Sequence, residues 1–416
     1  MLRFLPEGYL FRLREALSQM GMRVTLFAVA GVALALMTAF LAPYIPFDAP
    51  IEPAAGSVDA ILNVLAGAML PVATFSVSII ATAYGTATNN ATPRASRLLS
   101  ADPIAQTAVS VFIGAFMFAI AGIIGIAAGA YSGSGRNILF LATLLVIGAI
   151  AWALLRWVDH LSNYGSINDI VARVEARATE AAALYRDLPA LGAQPAPRGA
   201  LPDGAILLRS MGSGYVQHID MERLNEVAGE AGLRVEVLRM TGKYVHHGEP
   251  ILRLSAPCDE ETGARLRNVF TIDAQRSFDQ DLRYGLIVLS EIGGRALAPG
   301  ANDVGTAIEV LRAGTRALMV LHGVGRDEDA PDPHPYAHVS APVLSVDETY
   351  AEFFAPLARS GAERVEVIKT LLDGTQALAQ AGGGLAARQQ ARDAYGRAMG
   401  ALTQEWEKEL LRQEMG

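Results

Sequence analysis

Four long stretches of the chain are almost free of charged side chains, and they constrain the fold more than any other feature. They cover residues 24–44, 60–84, 104–131 and 138–157, and their only charged residue is Arg156 near the end of the fourth. About 20 residues of helix, rising 1.5 Å each, cross a hydrocarbon core about 30 Å thick. A soluble helix is seldom apolar on all sides over that length. The sequence therefore predicts four transmembrane helices within residues 1–162.

After residue 157 charged residues become frequent, so the two parts of the chain require different solvents. The predicted fold class is an α-helical integral membrane domain followed by a cytoplasmic α+β domain. Within the second part we expect a helix and linker over 163–200, a small β-rich module over 201–257, and a mainly helical region over 258–416. The formal net charge of −8 argues against nucleic-acid binding, which requires a basic face.

Basic residues flanking the apolar segments predict the orientation, because cytoplasmic loops are enriched in Lys and Arg. Four arginines precede the first segment: Arg3, Arg12, Arg14 and Arg23. The next loop carries only acidic charges, and the loop after the second segment carries Arg94 and Arg97. This bias predicts a bacterial inner-membrane protein with both termini in the cytoplasm. We expect Arg94 and Arg97 to mark the membrane boundary by contacting lipid phosphates; the alternative is that they line an anion path.

The soluble part begins with a helical pattern over 160–186, continuous with the fourth apolar segment, and a Pro/Gly/Ala-rich linker over 191–199. Short β-like runs follow at 205–208, 214–219, 234–238 and 251–254. The turn-and-strand pattern after Gly242 resembles a barrel-sandwich module of the biotinyl/lipoyl type. Because Lys243 lacks the flanking residues of such modules, no covalent cofactor is expected.

The second apolar segment is the most polar of the four. Its polar residues include Asn63, Thr74, Ser78 and Thr82, and the last three share one helix face. These four are candidate pore-lining residues; the alternative is that the hydroxyls hydrogen-bond between neighbouring helices. Glycines at 114, 122, 125 and 129 predict a close-packing face on the third segment.

Four motifs together resemble a known family. They are Thr92–Leu99 (TPRASRLL), Gly214–Asp220 (GYVQHID), Arg276–Gly285 (RSFDQDLRYG) and Arg295–Ala307 (RALAPGANDVGTA). The chain resembles the bacterial predicted membrane proteins of domain of unknown function 2254, from the first apolar segment to at least Leu321. In that family the last motif usually reads ALSPGINDP, where this chain has Ala298, Ala301 and Val304 in place of Ser, Ile and Pro. The resemblance implies the same topology and no established activity.

The best candidate for a functional polar cluster is the Asn302–Asp303 pair of the last motif, together with Asp273, Arg276 and Arg295 nearby in the sequence. A carboxylate and an amide at a helix N-terminus can hold a cation or polarise a water. The alternative is that Asn302 or Asp303 caps a helix while Asp–Arg pairs connect two helices or two subunits.

No catalytic residue, metal ligand or cofactor site is predicted. Adjacent residues of a strand point to opposite faces, which argues against shared metal ligation by His246 and His247. The pair His334 and His338 lies in a Pro-rich loop, and neither pair has a neighbouring Cys or carboxylate at ligand spacing. No nucleophile elbow, phosphate-binding loop or dinucleotide motif occurs either.

Three functions are compatible with these features. The leading one is a homo-oligomeric channel or transport-like assembly, because four helices without an internal repeat are few for a self-contained carrier. The alternative is a membrane-anchored sensor or scaffold that binds a ligand or partner through its cytoplasmic domain. A membrane enzyme ranks last, since no nucleophile–base pair or metal cluster is visible. The expected partners are the lipid bilayer, further copies of the chain and a small ion or ligand of unknown identity.

Overall fold

The computed structural model describes residues 20–41, 56–100, 102–131, 133–196, 206–323 and 333–415. These residues form two compact units. The apolar unit comprises 20–89 and 96–166, and the α/β unit comprises 90–95 and 167–415. The last three residues of the predicted first span, 42–44, lie outside the described residues.

The four predicted apolar helices are confirmed. The long helices are α1 (Met20–Leu41), α2 (Ser57–Asn90), α4 (Pro103–Ala127) and α5 (Gly133–Leu161), and a short helix, α3 (Pro93–Ser100), follows α2. Each of the four is long and apolar enough to cross a membrane. The helix α4 begins sharply because the Asp102 carboxylate accepts hydrogen bonds from the backbone N–H groups of Ile104 and Ala105.

Glycine permits the close approach of α1 and α4. A Cβ atom on Gly31 would overlap the carbonyl oxygen of Gly114 and lie 3.1 Å from its carbonyl carbon. A Cβ atom on Gly114 would lie 2.9 Å from the carbonyl oxygen of Phe27. The two backbones therefore meet where neither helix has a side chain, as is common between membrane helices.

The close-packing face predicted on the third apolar segment continues along α4. A Cβ atom on Gly122 would lie 3.0 Å from a methyl carbon of Leu62, and one on Gly125 would lie 2.6 Å from the ring of Tyr131. Gly129 differs, because it has a φ of +70° and no described atom lies within 4 Å of its Cβ position. Three of the four glycines are thus required by packing, while Gly129 serves the turn after the helix.

The helix predicted to run on from the fourth apolar segment is interrupted. The helix α5 ends at Leu161, and α6 (Ile167–Asp187) begins after a turn. In this turn Gly165 has a φ of +73°, which favours glycine, and its Cβ position lies 2.8 Å from Ala83 Cβ. The Tyr164 hydroxyl donates to the Leu99 carbonyl at 3.0 Å. The sequence did not predict this break, because the residues on both sides of the turn have helical periodicity.

The α/β unit contains nine helices among its described residues, beginning with α6. The others are α7 (Met221–Glu230), α8 (Glu260–Arg267), α9 (Leu282–Ala296), α10 (Val304–Leu321), α11 (Val346–Ser360), α12 (Val365–Leu378), α13 (Gly384–Ala401) and α14 (Glu405–Met415). Its core lies between the long helices, where Leu289, Ile292, Tyr350 and Phe353 are fully buried.

Eight strands form two sheets in the part of this unit that the structure describes. They are β1 (Ala193–Ala196), β2 (Ile206–Arg209), β3 (Gly214–Ile219), β4 (Val235–Val237), β5 (Tyr244–Val245), β6 (Pro250–Leu254), β7 (Phe270–Asp273) and β8 (Tyr336–Pro342). The five-stranded sheet has the order β1-β8-β4-β6-β2, in which β8 pairs parallel with both β1 and β4. The other sheet, of order β5-β3-β7, is antiparallel.

The strands predicted within 201–257 are present, but they do not form a module of their own. The strand β4 pairs with β8, which comes some 100 residues later in the chain, and β3 pairs with β7. The barrel-sandwich arrangement is therefore not confirmed. The linker predicted over 191–199 is also wrong for 193–196, which form β1, while 197–199 lie outside the described residues.

Candidate functional site

A cleft within the α/β unit has a volume of about 580 Å³. Its walls are the chain from 236 to 244, the start of β6, the beginning of α9, and the connection from β8 to α11. Tyr185, near the end of α6, contributes a further wall. A volume between about 300 and 1,000 Å³ is usual for small-molecule sites, and such sites combine apolar walls with a few polar groups. This cleft is therefore the candidate site.

One wall of the cleft is a tight turn between β4 and β5. Lys243 N–H donates to the Met240 carbonyl at 3.2 Å, and Gly242 N–H donates to the Val216 carbonyl at 2.8 Å. Gly242 has a φ of +81°, and a Cβ atom there would overlap an oxygen of Asp281 and lie 2.8 Å from its Cγ. Only glycine satisfies both the backbone conformation and this contact without strain.

Asp281 is the most deeply buried charged residue of the cleft, with 4% of its surface exposed. Its carboxylate accepts from Nε and Nη2 of Arg276, both at 2.9 Å, and from the backbone N–H of Tyr284 at 3.0 Å. The last bond caps α9, and the Arg276 guanidinium lies 4.9 Å from the centre of the Tyr284 ring. Burial raises the pKa of Asp281, and Arg276 opposes that shift. The pair fixes the beginning of α9 beneath the Gly242 turn.

A second polar group joins α6 to the same turn. The hydroxyl oxygens of Tyr185 and Thr241 lie 3.1 Å apart. Both hydroxyls donate to the Gln280 carbonyl, that of Tyr185 at 3.2 Å and that of Thr241 at 2.7 Å. Burial raises the pKa of Tyr185, so its hydroxyl stays protonated and available as a donor at neutral pH. These bonds hold three separate segments of the chain at one end of the cleft.

The rim of the cleft carries charges of both signs, most of them paired. Arg239 Nε donates to Glu249 at 3.0 Å, and Arg283 donates to Glu348 and Glu352, each at 2.7 Å. The backbone N–H of His246 and the Arg239 guanidinium lower the pKa of Glu249.

Lys243 differs from the paired charges of the rim. Its side chain is exposed, and within the part of the chain that the structure describes it forms no hydrogen bond or ion pair. The cleft thus has one ammonium group whose three donors are open to a ligand.

The predicted polar cluster is divided among different contacts. Arg276 pairs with Asp281 rather than Asp273, which lies exposed at the end of β7. Arg295 donates to the carbonyl of Ala91 at 3.3 Å.

The Asn302–Asp303 pair follows the helix-cap alternative. Asp303 caps α10 by accepting from the N–H and the hydroxyl of Thr306, at 3.0 and 2.6 Å. These bonds lower the pKa of Asp303. Asn302 has a φ of +47° and accepts from Arg364 at 3.0 Å. Its conformation explains why asparagine, which tolerates left-handed backbone, stands before the cap.

The candidate pore-lining residues Asn63, Thr74, Ser78 and Thr82 are all exposed on the outer surface of the apolar unit. Asn63 donates to the Asp59 carbonyl at 2.8 Å, and Thr74 and Thr82 donate to carbonyls one turn back at 2.9 Å. Among the described residues they form no hydrogen bond to a neighbouring helix, and their outward placement leaves the predicted pore role open.

The two boundary arginines differ. Arg94 forms an ion pair with Glu291 of α9, which accounts for its charge without a lipid phosphate. Arg97 is half-buried on α3, and no described residue pairs with its side chain.

The histidines predicted to be non-ligating occur in separate surroundings. The ring of His334 lies 2.8 Å from the Ala193 carbonyl, whereas His338 lies on β8 beside Gly229. Among the described residues, no group of three or more His, Cys, Asp or Glu side chains is arranged to hold a metal ion.

Sequence reasoning missed Asp281, Tyr185, Thr241 and the cleft role of Lys243. Asp281 could have been predicted as a helix cap, because it immediately precedes an apolar helical pattern. It also lies in the same RSFDQDLRYG motif as Arg276. Tyr185 and Thr241 carry no such signal, since they meet only through the tertiary structure.

Comparison with known proteins places the chain in a family. The profile described as "Predicted membrane protein (DUF2254)" matches residues 18–377. Uncharacterized proteins of Mycobacterium bovis and Mycobacterium tuberculosis are 25% identical over 270 residues, which cover 62% of this chain and 51% of theirs. The match thus spans about half the length of these curated relatives. No solved structure matches the chain. Since the family profile covers most of its length, the chain belongs to the predicted membrane proteins of domain of unknown function 2254.

Proposed function

We propose that this protein is a multi-pass protein of the bacterial inner membrane that binds a small anionic ligand in a cytoplasmic cleft. The four apolar helices support membrane insertion, and the arginines before the first of them support cytoplasmic termini. This proposal favours the membrane-anchored sensor over the other functions.

The observation that carries the proposal is the cleft itself. It has the volume of a small-molecule site, and its walls are held by the buried Asp281–Arg276 pair and the Tyr185–Thr241 hydrogen bond. Rigid walls of this kind reduce the entropy lost on binding. Lys243 supplies a cation without a protein partner, whereas the other cations of the lining, Arg239 and Arg283, are neutralised. An anionic group is therefore the expected feature of the ligand.

A thermal-shift screen of the full-length protein in detergent tests this function. The panel consists of nucleotides, sugar phosphates, and di- and tricarboxylates. The chain has only three lysines, Lys243, Lys369 and Lys408, which provides a matched control. At least one anionic compound is expected to raise the melting temperature of the wild type and of Lys408→Met but not of Lys243→Met. A panel without a single saturable shift, or equal shifts in both variants, would contradict the proposal.

A second candidate is the homo-oligomeric channel, and the polar stripe of α2 favours it. This helix is apolar enough to cross a membrane, yet four of its polar side chains face outward: Asn63, Thr74, Ser78 and Thr82. Contact with another copy would remove these groups from lipid, and several copies around an axis would place them along a pore.

Cysteine cross-linking distinguishes an assembly from a single chain. In a Cys258→Ser background, Ser78→Cys is expected to form dimers under oxidation in the membrane. Ser76→Cys is the control, because Ser76 lies on the same helix but is 2% exposed. Cross-linking together with conductance in planar bilayers would support the channel. Monomers with both variants and no conductance would exclude it and leave the cleft proposal intact.

A further inference from the structure

A second cavity lies within the apolar unit, at one end of α4 and α5. Its volume is about 170 Å³, roughly that of six water molecules at about 30 Å³ each. Its lining consists of Pro103, Ile104, Thr107 and Ala108 at the beginning of α4, and Trp152, Ala153 and Arg156 near the end of α5. The cavity is large enough for the polar head of a ligand and too small for a complete lipid.

The lining divides into an apolar part and one cation. Arg156 is the only charged residue among those that line the cavity, and its guanidinium lies 5.5 Å from the centre of the Trp152 ring. Such a cation–π contact orients the guanidinium without occupying its hydrogen-bond donors. No described residue forms a hydrogen bond or an ion pair with the Arg156 side chain. The donors are therefore available to a ligand.

The position of the cavity indicates the source of that ligand. Both helices that form it are candidate membrane spans, and the cavity lies near the first residue of one and the last residues of the other. A Trp and an Arg at the end of a span are the residues that occupy the interface between lipid headgroups and acyl chains. Trp152 is 52% exposed, so its ring has surface left to contact an acyl chain.

We infer that this cavity is a binding site for the phosphate of an anionic phospholipid. The guanidinium of Arg156 binds two phosphate oxygens through parallel N–H donors, as arginine forks commonly do. The acyl chain leaves the cavity over Trp152 and Ile104. The lining has no carboxylate that would receive the ammonium of a zwitterionic headgroup, so a phosphatidylglycerol-type headgroup fits better. By the charge bias of the loops, the site faces the cytoplasmic leaflet.

This inference rests on the proposed membrane location, and the experiment separates the two. Membranes containing the protein are first washed with alkaline carbonate. Protein that stays with the membrane is inserted, and protein that is released refutes the location whatever lipid it binds. The purified full-length protein is then reconstituted in nanodiscs with phosphatidylglycerol and phosphatidylcholine in equal amounts, and retained lipids are measured by native mass spectrometry.

The wild type is expected to retain phosphatidylglycerol in preference to phosphatidylcholine. Arg156→Gln is expected to reduce this retention by about tenfold or more, since a charge-assisted bond to phosphate is lost. Arg97→Gln is the control, because it removes a half-buried arginine that has no partner among the described residues and does not line the cavity. Trp152→Leu is expected to weaken retention less, because it removes only the orienting ring.

Three results would overturn the inference. Arg156→Gln and wild type could retain the lipid equally, or the wild type could retain both lipids equally. Displacement of phosphatidylglycerol by inorganic phosphate would identify a free-phosphate site instead. The comparison of lipids on the wild type needs no substitution, so it remains decisive even where Arg156→Gln does not fold.

Discussion

The sharpest prediction concerns Gly242, the residue that joins the turn of the cleft to the buried ion pair. Gly242→Ala places a methyl group against Asp281, with its Cβ overlapping one carboxylate oxygen and 2.9 Å from Nη2 of Arg276. The left-handed backbone, with a φ of +81°, costs an L-residue about 1–2 kcal/mol. Displacing the carboxylate and the guanidinium adds about 1–3 kcal/mol, the usual cost of overpacking. The expected loss in the free energy of unfolding is therefore about 2–5 kcal/mol.

Gly248 provides a matched control for this prediction. Its φ is +80°, nearly that of Gly242, but no described atom lies within 4 Å of its Cβ position. Gly248→Ala thus introduces the backbone cost alone. For a unit of this size, 1 kcal/mol corresponds to about 2–4 °C, so Gly242→Ala should melt about 2–12 °C below Gly248→Ala. The assay is thermal unfolding of the full-length protein in detergent, followed by intrinsic fluorescence. Equal melting temperatures would refute the contact between the turn and the ion pair.

Three further predictions concern a helix cap, a half-buried histidine and a helix crossing. Asp303→Ala should lower the free energy of unfolding by about 1 kcal/mol. Because Thr306 lowers the pKa of Asp303, this difference should be complete above about pH 4 and vanish as the pH falls through the folded-state pKa, as thermal melts at several pH values would show. Burial lowers the pKa of His322, whose ring lies 2.6 Å from the Tyr350 hydroxyl, so the wild type should lose stability as the pH falls below about 6.5. His322→Gln should flatten that decline in melts between pH 8 and 5, and an unchanged slope would contradict the assignment. Gly31→Ala should separate α1 from α4 at a cost of about 1–3 kcal/mol and lower the yield of monodisperse protein. Gly21→Ala is the control and should leave that yield unchanged, because no described atom lies within 4 Å of its Cβ position.

The helices of the apolar unit could be predicted because their signal is local. Each segment is apolar on all sides, and composition alone separates it from its neighbours. The cap at Asp303 was also predictable, since a Pro-Gly helix stop and an Asn-Asp pair stand before the pattern of α10. In both cases the residues that determine the structure are adjacent in the chain.

The strands β1 and β8 could not be predicted, because the residues that determine them are far apart in the chain. Ala193–Ala196 contains Pro195 and no β-branched residue, so its sequence is typical of a linker. It becomes a strand because it pairs parallel with β8, more than 100 residues away in the chain. Likewise β4 and β6 looked like parts of a small local module, although the sheet that contains them depends on β8.

In the candidate site, too, local features could be predicted from the sequence and contacts between distant segments could not. Arg276 was identified from its motif as a member of the polar cluster, but Asp281 was not among the residues predicted with it. The structure pairs it with Asp281, because the chain between them turns back at the beginning of α9. The cleft itself depends on segments that are far apart in the sequence, namely α6, the Gly242 turn, α9 and the residues after β8. No local sequence pattern predicts that these four segments come together.

The measurement that tests the account most directly is an acetylation footprint of the three lysines in the full-length protein. Mass spectrometry would follow the reaction rates of Lys243, Lys369 and Lys408 with and without the anionic compound that raises the melting temperature most. We expect the compound to slow the acetylation of Lys243 while the rates at Lys369 and Lys408 stay the same. A rise in melting temperature with an unchanged rate at Lys243 would show that the ligand binds elsewhere and would contradict the cleft as the functional site.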